Sequence, residues 1–413
     1  MQVIEGRVFY RGALQDLCLG VEDGRIVAVK KVLPGEDRRS FGDDLILPGG
    51  IDLHVHFRDP GATDKEDFAT GTTSAAIGGV TCVFDMPNTE PPAVSASALE
   101  AKHRAVSSKA NVDYGLYTGI AGTRPPGIPA GLAAGFKIYT AESTGGLSTL
   151  WRQVPAVLDA LRDSTAPVVV HAEDPTLFTP AGKDLAGHHL SRPPAAEGSA
   201  IQVVAEHLAR AHVTHVTSAE GLGAARSAGL SMDVTPHHLL FDILAKHAAR
   251  LKVNPPLRPP PHRARLWEAF RSDAIGLLAS DHAPHILEEK ERFTEAPSGT
   301  PGVATTYPAM LRLVKSGSLE LSRLVDAFCA RPAALFSLNK GAIEVGKDAD
   351  LAVFDPRDVV AVTAKRTRYK CGWTAFEGVE AVFPHHVFLR GIEVVRDGSP
   401  EEERQGRSVT SAG

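Results

Sequence analysis

Between residues 46 and 281, apolar positions gather into short runs that end on polar or titratable side chains. Eight of these runs read as strands: 46–57, 80–86, 112–119, 135–140, 168–173, 212–217, 231–237 and 275–281. Segments of helical period lie between them. Over 199–211, for example, Ile201, Val204, Leu208 and Ala211 recur at helical spacing behind Ser199 as an N-cap. Strands alternating with helices predict a parallel sheet. A run of eight predicts a closed (β/α)8 TIM-like barrel, for which about 250 residues is typical and whose chemistry collects at the C-terminal strand ends.

The two ends of the chain follow a different pattern. Residues 1–43 contain alternating or apolar stretches, 2–10 and 17–29, separated by Gly and Asp turn signals and without a helical period. Residues 342–398 resemble them, with strands at 350–354 and 381–395 broken at Arg390-Gly391 and Arg396-Asp397-Gly398. The expectation is an α/β chain in three parts. Residues 1–48 plus 340–398 form a small β-sandwich domain built from both ends, 49–339 form the barrel, and 399–413 form a disordered tail because they are polar and carry Glu401-Glu402-Glu403.

Composition narrows the function classes. A chain of 413 residues can bury a large core and a second domain. Its net charge is -5 and its basic residues form no stripe, which argues against nucleic acid as a partner. No apolar stretch is long enough to span a bilayer, and the first residues lack the order of a signal peptide, so a cytoplasmic location is expected. Cys18, Cys82, Cys329 and Cys371 lie too far apart for a paired-cysteine zinc motif or a disulfide framework, and reduced, buried thiols are expected.

The chemistry starts at His54 and His56, which end an apolar run two residues apart. On a strand, side chains at i and i+2 share a face, so both imidazoles can address one ion. The spacing alone also fits two unrelated histidines in a chain that carries 17. Other strand ends carry Lys137, His171 and Asp281, and His215 sits within the sixth run. Histidines, a carboxylate and a lysine suit Zn²⁺ or a similar divalent ion. An ammonium has no lone pair to give a metal. Burial favours the neutral amine, which can take up CO₂ and become an anionic carbamate that bridges two metals sharing a hydroxide. The alternative for Lys137 is a snorkelling or salt-bridged lysine.

Seven stretches in order carry a family resemblance: His54-Val55-His56-Phe57-Arg58-Asp59-Pro60-Gly61, Asp85-Met86-Pro87-Asn88-Thr89, Gly135-Phe136-Lys137-Ile138-Tyr139, His171-Ala172-Glu173, Pro236-His237-His238, Val253-Asn254-Pro255-Pro256-Leu257-Arg258 and Ala279-Ser280-Asp281-His282-Ala283-Pro284-His285. On these, residues 47–335 resemble the dihydroorotases of the amidohydrolase superfamily. The resemblance implies two divalent metal ions, most simply zinc, held by His54, His56, carbamylated Lys137, His171, His215 and Asp281. It implies substrate binding by Arg58, Asn88, Asn254 and His285. The implied reaction is the reversible cyclisation of N-carbamoyl-L-aspartate to L-dihydroorotate in pyrimidine biosynthesis, with a metal-bridging hydroxide as nucleophile and Asp281 as general acid and base.

The planar fork of Arg58 suits the carboxylate of such a substrate. Hydantoinases, dihydropyrimidinases and allantoinases share the ligands but act on rings of different charge, so Arg58 and Asn88 discriminate. A second rival is a catalytically silent homologue that partners aspartate transcarbamoylase; such a chain is expected to lack a ligand, and all six are present. Association with that enzyme and a homo-oligomeric state are compatible with activity. Among the paired histidines, His188-His189 reads as a loop feature, His385-His386 as part of the sandwich, and His237-His238 has no derivable role. Glu142 lies five residues beyond Lys137 and is the poorer bridge. Segments 122–135 and 286–302 read as rim loops, either of which suits a lid.

Overall fold

The computed structural model describes residues 1–129, 131–142 and 146–409. Four strands open the chain: β1 (Gln2–Tyr10), β2 (Ala13–Glu22), β3 (Arg25–Lys30) and β4 (Arg38–Pro48). Eight more follow: β5 (Gly50–Val55), β6 (Val80–Asp85), β7 (Asp113–Gly119), β8 (Gly135–Tyr139), β9 (Val168–His171), β10 (Ala211–Val213), β11 (Ser231–Val234) and β12 (Leu277–Leu278). These eight pair with sequence neighbours in one parallel sheet. A parallel bridge from Val55 to His282, with the His56 amide donating to the His282 carbonyl at 2.7 Å, brings the edges together into a nearly closed TIM-like barrel. Its strands are buried along nearly their whole length because both faces are covered, as in the Val168-Val169-Val170 run of β9.

The remaining strands are β13 (Leu351–Phe354), β14 (Val360–Ala361), β15 (Glu380–Ala381), β16 (Pro384–Leu389), β17 (Ile392–Arg396) and β18 (Ser399–Pro400). β14 and β15 form a separate ribbon, while the others join β1–β4 in one sheet ordered β18-β17-β16-β13-β4-β1-β2-β3. Ile4, Val8, Leu19, Ile26, Ile46, Leu351, Val353 and Phe388 share one apolar cluster inside it. The two ends of the chain therefore build the small β-domain together. β4 pairs antiparallel with β13, and the Gly49 amide donates to the Asp350 carbonyl where the chain passes from this sheet into the barrel.

The structure corrects several sequence-based expectations. The run 46–57 is two strands in two sheets, with the change at Gly49-Gly50; a Cβ on Gly50 would stand 2.6 Å from the Phe328 ring, so the crossing needs glycine. The helix expected from Ser199 spans Pro194–His207, opened by proline in its first turn, and the Ser199 hydroxyl instead donates to Asp174. His188 and His189 lie on a helix, Leu185–Ser191, and His237 and His238 on another, Pro236–Leu240, where β11 was expected to continue.

The expected disordered tail is held through residue 409, while 410–413 lie outside the described residues. β18 pairs with β17, and beyond it the Gly406 amide donates to Ala110, Tyr114 to Arg407, and Val409 to Tyr114. Arg390 ties the Gln405 carbonyl to Asp113 at the entry of β7. Backbone pairing and one long-range arginine thus order a segment whose composition alone reads as solvated.

Candidate metal centre and substrate pocket

Because β5 ends at Val55, His54 and His56 reach the C-terminal mouth of the barrel, where Asp281 arrives just after β12. Among the described residues these three form the one cluster whose metal-ligating atoms all lie within 4.8 Å of one another. His54 Nε2 is 3.2 Å from His56 Nε2 and 3.2 Å from Asp281 Oδ1, and His56 Nε2 is 3.4 Å from the same oxygen. Burial lowers the pKa of His54 and His56 well below the ordinary histidine range, with nearby Lys137 and Arg58 adding to the effect, so both rings are neutral. His56 presents Nδ1 to Asn88 Oδ1 at 2.7 Å; an amide oxygen only accepts, so Nδ1 carries the proton and Nε2 is bare. A bare imidazole nitrogen 3.4 Å from a carboxylate oxygen offers donor lone pairs to a cation.

The second half of the centre comes from β9 and the turn after β10. His171 Nδ1 lies 3.1 Å from His215 Nε2, with ring centroids 4.7 Å apart, and the His215 ring stands 5.3 Å from that of His54. Lys137, on β8, sits between the halves: its Nζ is 3.5 Å from His54 Nε2 and 3.4 Å from the Thr214 hydroxyl, which itself contacts His215 Nε2 at 3.1 Å. Burial pushes the Lys137 ammonium down to about 7, against the opposing pull of Asp281 and Asp233. Burial likewise raises the Asp281 carboxyl to about 7, opposed by Lys137 and His171. A lysine so disposed is available as the neutral amine that carbamylation requires. The His54–His56–Asp281 cluster therefore fits a divalent ion, and further donors from His171, His215 and Lys137 stand beside it.

Eight of the ten site residues read from the sequence line one cavity of about 30 Å³. That is room for waters or ions rather than for a substrate ring. A larger vestibule of about 460 Å³ adjoins it and shares Arg58 and Asn88. Arg58 is buried, its Nε donating to the Pro284 carbonyl at 3.3 Å, and among the described residues no carboxylate lies within ion-pair distance of it. Arg58, His215 and Asp281 all hold positive φ, at 60°, 41° and 47°.

Two of the ten residues do not line the cavity. Lys137 lies beneath it, as its contacts show. His285 stands behind Arg58, with Nε2 3.4 Å from the guanidinium and 3.2 Å from the Ser298 carbonyl, and faces the vestibule. Asn254 lines the cavity while its Oδ1 receives the His188 ring at 3.0 Å.

Within segment 286–302, the buried Lys290 Nζ donates to the carbonyls of Lys252, Pro297 and Gly299. Of segment 122–135, residue 130 lies outside the described residues. His237 is fully buried with neither ring nitrogen partnered among the described residues, and the structure gives it no role.

Two residues at the site escaped the sequence reading. Tyr139 lines the cavity with a buried hydroxyl that has no partner among the described residues. It shares the face of Lys137 two positions on, a spacing visible in the sequence. Glu173 receives His171 Nε2 at 2.8 Å and is completely buried. It stands in the His171-Ala172-Glu173 stretch, where the histidine drew the attention.

Comparison with known proteins agrees with this geometry. Residues 45–392 match the model of the amidohydrolase family. A dihydroorotase of Halobacterium salinarum is 37% identical over 99% of this chain and 100% of its own length, and one of Methanosarcina acetivorans is 36% identical over 93% and 90%. Among solved structures, the L-hydantoinase (dihydropyrimidinase) of Arthrobacter aurescens superposes with a TM-score of 0.89 at 28% identity, covering 98% of each chain. The protein belongs to the amidohydrolase family, and dihydroorotases are among its curated sequence relatives.

Proposed function

We propose that this chain is a metal-dependent dihydroorotase, interconverting N-carbamoyl-L-aspartate and L-dihydroorotate in pyrimidine biosynthesis. The observation that carries the choice over a hydantoinase is Arg58. A guanidinium buried beside the metal-ligand cluster with no carboxylate partner among the described residues is costly unless an anion arrives with the ligand. L-Dihydroorotate brings a carboxylate, whereas hydantoin and dihydrouracil do not.

His54, His56, carbamylated Lys137, His171, His215 and Asp281 would hold the two ions. Divalent ions there would polarise the amide carbonyl and make water nucleophilic near neutral pH. Arg58 anchors the substrate carboxylate through its planar fork, and His285 braces the guanidinium from behind. Asn88 fixes the His56 ring, so that substrate placement and ligand orientation share one residue. Asp281, with Oδ1 against both imidazoles, accepts a proton from the attacking water and returns it to the leaving ring nitrogen; in ring closure it runs the transfer backwards. Closure turns a dianion into a monoanion, consuming one proton and releasing one water, so acid favours the ring.

The test is a substrate panel on zinc-loaded, bicarbonate-treated protein, with Arg58→Met alongside. The expected outcome is turnover of L-dihydroorotate, lowered in the variant by about 30- to 5000-fold, the equivalent of about 2–5 kcal/mol for losing one partner of a buried charge pair. Preferential turnover of hydantoin or dihydrouracil, insensitive to Arg58→Met, would move the chain to the hydantoinases.

A further inference from the structure

The two halves of the metal centre are braced differently. In the first, His56 Nδ1 faces a neutral amide, Asn88. In the second, His171 turns Nε2 to a carboxylate, Glu173 Oε2, at 2.8 Å, while Nδ1 faces His215. Glu173 has no exposed surface and is gripped from the other side by Arg192, whose Nη2 reaches Oε2 at 2.6 Å and whose Nε lies 3.1 and 3.2 Å from the two oxygens. Arg192 is itself held: its guanidinium lies over the Phe178 ring, 4.2 Å from the centroid, and its carbonyl accepts from Arg258. The Glu173 backbone is tied as well, its amide donating to the Thr140 hydroxyl at 2.8 Å. The Arg192 guanidinium, reaching both carboxylate oxygens from the side away from His171, makes Glu173 the anionic partner of a buried ion pair.

An ionised carboxylate only accepts. His171 must therefore carry its proton on Nε2 and keep the Nδ1 lone pair for the cavity. His215 has no such support, since its Nδ1 is unpartnered among the described residues.

We propose that Glu173, backed by Arg192, is the positioning residue of the His171–His215 half. It fixes the His171 tautomer with Nδ1 as ligating atom, strengthens that nitrogen as a donor, and so sets the affinity of the ion held there. The inference rests on the two-metal reading above. Partners of this kind change metal affinity by about 10- to 100-fold.

The test is calorimetric titration of metal-free protein with Zn²⁺ in bicarbonate, for the wild type, Glu173→Gln and Arg192→Gln, with circular dichroism to confirm folding. The expected result is two ions in the wild type. In Glu173→Gln, one is weakened by about 10- to 100-fold and the other is unchanged, with a smaller shift of the same ion in Arg192→Gln. A folded Glu173→Gln that binds both ions as the wild type does, or loses both equally, would overturn the proposal. Should Glu173→Gln not fold, an Arg192→Gln chain with wild-type affinity for both ions overturns it. A wild type that takes up fewer than two ions overturns the two-metal reading itself, and this inference with it.

Discussion

Two buried clusters of charge sit at opposite ends of the barrel, and they are built on opposite terms. At the N-terminal end, Lys340 lies 2.7 Å from Asp113 and 3.1 Å from Asp348 and also pairs with Asp350, while Arg390 pairs with Asp113 and receives support from the Asp350 carboxylate at its amide. Burial would lower the Lys340 pKa, but Asp350 and Asp113 outweigh it and hold the ammonium well above the usual lysine range. Every charge there has a protein partner. At the C-terminal end, two imidazole nitrogens crowd one carboxylate oxygen, at 3.2 and 3.4 Å, and Arg58 has no carboxylate in reach among the described residues. Burial is common to both clusters; what separates structure from function is whether the partners are supplied by the chain or awaited from outside.

Three results would break or sharpen this contrast. The largest expected effect is that of Asp281→Asn, which should cut turnover of L-dihydroorotate by about 10²- to 10⁴-fold, the usual span for a general acid–base group. Its thermal midpoint in the metal-free state should stay level or rise, because an ill-compensated buried carboxylate is gone; a marked fall would place Asp281 among the structural charges.

Lys340→Met should do the reverse. Unfolding free energy in urea is expected to drop by about 3–5 kcal/mol, since Asp348 and Asp350 lose their cation and Asp113 keeps only Arg390, while turnover of the folded enzyme is unchanged. Intact stability would show that the lower cluster is not needed to hold the β-domain to the barrel.

The smallest effect concerns pH. Lys137, lowered from 10.5 to about 7, is neutral above that value and an ammonium below it. Reactivation of metal-free protein by bicarbonate and zinc should therefore be fast above about pH 7 and slow about tenfold for each unit below it. A flat profile from pH 5 to 8 would argue against an amine that must lose its proton before it takes up CO₂.

Much of the barrel is legible in the sequence because its strands are buried runs, as at 80–85, and one such as 168–171 ends at a site residue. The i, i+2 histidines announce themselves by period alone. Other features depend on tertiary neighbours that no local pattern carries. An apolar run cannot show that it changes sheets at Gly49-Gly50, where the reason is the Phe328 ring opposite. Residues 401–409 look like a solvated tail until Asp113 and Tyr114, nearly 300 positions earlier, supply their partners. The brace behind His171 was half visible, since Glu173 is its near neighbour, but Arg192 reaches it only because the helix Leu185–Ser191 ends there.

The pairing of β4 with β13 has a consequence for how the molecule is made. Residues 45–48 find their partners at 351–354 only after about 300 further residues have been synthesised, which at 5–20 residues per second takes about 15–60 s. Throughout that interval the N-terminal strands present an unpaired β4 edge while the barrel assembles beside them. Arg38, Arg39, Asp43 and Asp44 lie along that strand, and charges on an exposed edge discourage pairing with the wrong chain. The charged half of β4 lies directly upstream of the apolar segment that β13 later covers, so the chain carries charge beside this unpaired apolar edge until residues 351–354 arrive.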